Sequence, residues 1–173
     1  MAWTKSGLYI TTLVDIMKQT ALTGETRGTG IWLVTTGKLA LHSNSLTDGT
    51  APINFSATSA AWANTNEVSG TGWAAGGITF STLASGSTSA SPTLAEGTTG
   101  SVRYDHTNDT SVASTTLTNA RGCILYADAI TSPANDTDAM LVAVTFGADY
   151  STVAGTFGIQ WAATGIFEID ITP

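Results

Sequence analysis

Glycines at 70, 72, 76 and 77 surround Trp73 and follow Glu67-Val68-Ser69, a spacing that in other settings cradles phosphate. Phosphate cradling needs a strand leading through the glycines into a helix N-terminus, with a lysine at fixed spacing. Here Ile78-Thr79-Phe80 reads as a strand, no Gly-Lys-Ser/Thr follows, and the nearest charge is the acidic Glu67. The segment is expected to serve structure: Glu67, Val68, Gly70, Gly72, Trp73, Gly76 and Gly77 form turns or a bulge that hold a packed ring, as a turn or interface unit.

Other residues with chemical potential resolve the same way. His42 and His106 have no ligand partner at i+2 or i+4, so zinc is not expected. Asp105, Asn108 and Asp109, and separately Asp136 and Asp138, are hard-cation donor types in loops, but turns use the same residues. No metal and no cofactor is expected. No Gly-x-Ser-x-Gly elbow singles out a serine, and Glu168 with Asp170 alternate with Phe167, Ile169 and Ile171, which places them on an outward face. No catalytic residue is assigned. Trp3, Trp32, Trp62, Trp73 and Trp161 are too widely spaced for one sugar-stacking platform and read as core or interface anchors. Asn-x-Ser/Thr triplets at Asn54, Asn108 and Asn135 are what a chain rich in Asn and Thr contains by chance.

The elements that position these residues follow from periodicity. Tyr9, Leu13, Ile16 and Met17 share one helical face, which predicts a short amphipathic helix over Ser6 to Thr20, ended by Gly24, Gly28 and Gly30. Residues 1–24 are then a helix or arm on a single β domain of residues 25–173. Strands are expected at Ile31 to Thr36 and Lys38 to Leu41, and a helical turn around Trp62 within Ala60 to Asn66. From Gly77 the period changes to two: Ile78 and Phe80, Val102 and Tyr104, and a single-face stripe of Met140, Val142, Val144 and Phe146. Phe157, Ile159 and Trp161 precede Ala162-Ala163-Thr164-Gly165 and then Phe167, Ile169 and Ile171, a pattern that predicts a hairpin. Ser85 to Gly100 reads as a surface loop, and Asp105 to Asp109 and Ser132 to Asp138 as polar turns. The fold class is mainly β, a single-domain antiparallel sandwich of jelly-roll or Ig-like type with a short N-terminal helix.

The bulk numbers limit partners. The 173 residues are 42% hydrophobic and only 11% charged, where soluble chains carry about 25% charged residues. So little charge points to a surface that associates. With 6 Lys and Arg against 13 Asp and Glu, the net charge of −7 repels a nucleic-acid backbone. Cys123, the lone cysteine, lies in an apolar run and reads as a core residue. No apolar run of about 18 residues is present, and neither a signal peptide nor a membrane span is expected.

Three patches carry a resemblance: Glu67 to Gly77; Ala120 to Asp128, overlapping the run Asn-Ala-Arg-Gly-Cys-Ile-Leu-Tyr that starts at Asn119; and Leu141 to Ile169, with Phe-Gly, Phe-x-Ile-Gln-Trp and Gly-Ile-Phe elements. Together they resemble a family of small β-rich structural proteins of tailed bacteriophage virions, of head-decoration, head-tail or tail accessory type. The resemblance implies a β-rich body with an N-terminal helix or arm and no enzymatic activity. It implies a virion location, the capsid surface or the tail, after assembly in the host cytoplasm. The expected function is that of a capsid decoration protein binding the major capsid protein, or another virion protein, as a homo-oligomer, a homotrimer in the favoured arrangement. A tail-associated carbohydrate- or receptor-binding module is the alternative, with exposed tryptophans as its platform.

Overall fold

Val, Ile, Tyr and Phe spaced among Thr, Ser and Ala over residues 110–131 and 137–159 give both segments the branched and aromatic composition of strands. They form the axis of the molecule, the antiparallel pair β7 (Thr110–Thr131) and β8 (Thr137–Ile159). The computed structural model describes residues 2–11, 37–57, 59–79, 93–96, 100–105, 110–131, 137–162 and 165–170. The other strands there are β1 (Gly7–Leu8), β2 (Gly37–Ser43), β3 (Glu67–Val68), β4 (Ile78–Thr79), β5 (Thr93–Glu96), β6 (Ser101–Asp105) and β9 (Phe167–Asp170). The larger sheet runs β1-β8-β7-β2-β3, with β4 also on β2, and the smaller runs β5-β6-β9. Every strand pairing is antiparallel, and the chain is a mainly β sandwich.

Two cores lie on opposite faces of the larger sheet. One is the sandwich interior, where Leu39, Leu41, Cys123 and Leu125 meet Tyr104 of the smaller sheet together with Trp73, Phe157 and Trp161. The other is roofed without a sheet: Trp3, Tyr9, Leu46, Ile53 and Ala60 cover Ala40, Ile124, Tyr126, Met140 and Ala143. Strands covered on both faces are apolar at consecutive positions, which is why Leu39, Ala40, Leu41 and His42 are all buried.

The pairing of β7 with β8 slips six times. Five slips contain a residue of positive φ: Ser114 at 57°, Ala154 at 47°, Asn119 at 56°, Gly147 at 77° and Asp138 at 57°. At the sixth, Leu125 faces Val142 while Tyr126 faces Met140, so Leu141 is an extra residue. A bulge of this kind breaks the two-residue period. Met140 therefore joins the roofed core while Val142, Val144 and Phe146 join the sandwich interior, and the predicted single-face stripe is divided between two faces.

Other expectations are corrected at the level of partners. The turn after Trp161 forms, with the Gly165 N–H donating to the Ala162 carbonyl at 2.9 Å, but β8 and β9 do not pair. Ile166 N–H donates to the Tyr104 carbonyl at 2.9 Å, and β9 is captured by β6 in the other sheet, with Phe167 stacked on Tyr104 at 5.2 Å. Residues 93–96 within the expected loop form β5. The segment around Trp62 is extended: Ala61 bridges Ala139, and Trp62 N–H donates to the Asp138 carbonyl at 2.9 Å, supplying the edge of β8 with a partner. Glu168 is half-buried and accepts a hydrogen bond from the Ser101 hydroxyl, rather than standing on a solvated face.

The N-terminal residues pack on the body as an arm. Gly7 and Leu8, inside the predicted helix, are a strand against Ala143 and Val142; residues 10 and 11 are helical, and the rest of that helix lies outside the described residues. So do the predicted strand at 31–36 and most of the two polar turns. Arg121 Nε donates to the Trp3 carbonyl at 3.1 Å, Asp48 accepts from the Thr4 hydroxyl at 2.5 Å, and Thr145 N–H donates to Ser6 Oγ at 2.9 Å. Trp3 itself lies over Gly122, where an added Cβ would stand 2.4 Å from the indole and 2.5 Å from the Val144 carbonyl. Gly122→Ala should destabilise by about 1–3 kcal/mol through overpacking. A urea midpoint equal to the wild-type value would show that the arm does not depend on this contact.

Candidate functional site

β3 and β4 are two pieces of one edge strand. Val68 pairs with Leu41 and Ile78 with Leu39, so across β2 they are separated by Ala40 alone. Along the chain, residues 69–77 lie between them. These nine residues form a loop with adjacent ends, of the compact surface type. Its neck is narrow: Gly77 has φ +78°, and a Cβ there would lie 2.4 Å from the Leu39 carbonyl. Only glycine meets both conditions without strain.

The loop contains two successive turns. Gly70 and Trp73 exchange backbone hydrogen bonds at 2.8 and 3.1 Å around Thr71-Gly72, with Gly72 at φ +79°, the third position of a type II turn. Gly77 N–H then donates to the Ala74 carbonyl at 3.1 Å, with Gly76 at φ +84°. The first turn docks on β7, where Thr116 N–H donates to the Thr71 carbonyl at 3.1 Å. Gly70 is forced there, since a Cβ would lie 2.1 Å from the Thr116 carbonyl. Trp73 is thereby driven into the sandwich interior, fully buried, edge-on to Phe157 at 5.5 Å.

On the opposite face the loop closes through polar groups. Glu67 Oε1 accepts from Gly76 N–H at 2.6 Å, and the Tyr126 hydroxyl donates to the Gly76 carbonyl at 2.6 Å. Tyr126 stacks on Trp62, with ring centroids 4.4 Å apart and planes within 5°. Trp62 Nε1–H donates to His42 Nε2 at 3.2 Å, while His42 Nδ1–H donates to the Thr65 carbonyl at 3.0 Å. His42 in turn pairs with Glu67 across β2 and β3, which closes the circuit. Both His42 nitrogens are satisfied only by the neutral ring, and burial pushes its pKa down to about 4. Burial raises the Glu67 carboxyl above its ordinary value, opposed by the N–H groups of Gly76 and Gly77.

All seven residues of the sequence-assigned unit are thus brought to one edge of the larger sheet: Glu67 and Val68 in β3, Gly70, Gly72 and Trp73 in the docked turn, and Gly76 and Gly77 at the neck. Sequence reading missed that His42, Trp62 and Tyr126 complete it, from 25 and 5 positions before Glu67 and 49 after Gly77. No local spacing signals such a circuit. The groups that could do chemistry are engaged in backbone and ring contacts, so the arrangement fixes a loop. Among the described residues no three metal-ligating side chains converge, and no helix is long and apolar enough to cross a membrane. Among the described residues the tryptophans do not form one platform: Trp3 and Trp73 are fully buried, Trp161 is buried, and Trp62 has one face on Tyr126, while Trp32 lies outside the described residues.

Comparison with protein-family models, curated proteins and solved structures finds no match to this chain.

Proposed function

We propose that the chain is a non-enzymatic structural protein of a bacteriophage virion, a decoration protein that binds the outside of the capsid shell as a homotrimer. The observation that carries the assembly part of this reading is the uncharged outer ribbon of the larger sheet. Residues 110–120 of β7 and 150–159 of β8 contain no Asp, Glu, Lys or Arg in a chain of net charge −7. In that ribbon Tyr150 is 51% exposed and Val153 86% exposed. Copies that each carry a net charge of −7 repel one another except where charge is absent. Repeated weak contacts on a lattice then add through avidity.

The engagement of His42, Glu67 and Trp73 in the fold supports a structural role, and the assignment to a virion rests on the three resembling sequence patches. Purified capsid shells mixed with the protein should retain it on sedimentation, and a density map of the particle should place it on the outer surface at threefold positions. Absence of retention at saturating protein would overturn the decoration role.

A further inference from the structure

Past Val144, β8 has β7 on one side and, among the described residues, no strand on the other. The slip at Gly147 and the slip at Ala154 bend this stretch, and a groove of about 540 Å³ opens along it, walled by Phe146, Tyr150 and Phe157 together with the polar Thr152, Thr156 and Gln160. Val153 is not among its walls. It stands 86% exposed beside Ala154, whose positive φ makes the tip of the bulge. One ribbon therefore carries an apolar projection and, separately, a groove whose walls are aromatic rings interleaved with uncharged hydroxyl and amide groups.

Such a pair joins copies head to tail. A copy that offers its projection to a neighbour's groove leaves its own groove open for a third, and a heterologous contact of this kind closes into a ring when the rotation between copies divides the circle and extends as a filament when it does not. Charge favours a second copy as the occupant, because the ribbon is the part of an acidic chain that meets its own kind without repulsion. Size agrees: Tyr150 to Ile159 spans at most about 30 Å at roughly 3.3 Å per residue, enough to frame an interface of about 800 Å² per partner. An exposed strand edge low in charge is also what folded proteins ordinarily cover.

We propose that the Val153–Ala154 bulge of one copy seats in the Phe146, Tyr150 and Phe157 groove of the next, and that three such contacts close the trimer. The inference rests on the reading that the chain assembles with itself, and is independent of what the assembly then binds.

Light scattering over a concentration series tests it with the whole chain. The wild type should have three times the 17.7 kDa chain mass. Val153→Glu and Tyr150→Glu, both at exposed positions, should each reduce it to one chain with an unchanged circular dichroism spectrum. An equimolar mixture of the two should reach two chains, because one retains a groove and the other a projection. A monomeric wild type overturns the proposal, as does either variant remaining trimeric, or a mixture that stays monomeric at the highest concentration. A ribbon-dependent trimer that ignores capsid shells would uphold this contact and defeat the decoration role.

Discussion

Trp73→Ala should lower the free energy of unfolding by about 3–5 kcal/mol, the largest effect expected from one substitution in this chain. Trp73 is fully buried between the sheets and edge-on to Phe157. Its indole N–H has no hydrogen-bond partner among the described residues. The loss is therefore one of packing and apolar burial, with the vacated volume as an added cost because the Gly70 turn is pinned on Thr116 and cannot follow the smaller side chain. Trp73→Phe keeps most of the buried surface, removes the unpartnered donor, and should cost less than about 1.5 kcal/mol. Denaturant titration of both variants separates the alternatives. If the alanine variant lost less than the phenylalanine variant, the loop would not be a core plug.

Acidification should produce the second effect, through His42. The unfolded ring takes its proton near pH 6.5, whereas the folded ring resists it until about pH 4. Between these values the unfolded state binds more protons, so stability rises with pH across the window and falls as pH drops through it. The full contribution is present above pH 6.5, and its loss by pH 4 amounts to about 3 kcal/mol. The cause is burial, which penalises the charged ring and outweighs the bond to the Thr65 carbonyl, and a proton on Nε2 would in addition face the Trp62 N–H that now donates to it. Glu67 acts in the opposite sense, because its raised pKa favours the folded state as it protonates. The proper measure is the difference between wild type and His42→Gln, which lacks the ring. Urea midpoints from pH 7.5 to 4 should converge as the wild type loses its advantage. Parallel profiles would show that His42 does not carry the pH dependence.

Much of the architecture was legible in residue types. Branched and aromatic side chains alternating with Thr and Ser announced strands, and β2, β4, β6 and the body of β8 lie where the alternation put them. The glycines around Trp73 announced tight turns, and three of the four have positive φ. What escaped was pairing and face. The Phe157 to Ile171 pattern contains a real turn at Gly165, yet the choice between β8 and β6 as partner of β9 is a contest of non-local hydrogen bonds that the two segments do not record. The Met140 to Phe146 alternation is real as well. One extra residue at Leu141 sends its first member to the other core.

The same division holds for the loop. By itself the sequence determined a charge-poor β protein with a glycine-framed tryptophan, because composition and period two are local properties of the chain. Tertiary structure decided that β3 and β4 are one interrupted edge, that Trp73 fills one core while Glu67 and Gly76 meet Tyr126 on the opposite face, and that His42 is held neutral. Those outcomes depend on which backbone groups and rings meet after bulges have changed the register, and a bulge is a property of two strands together.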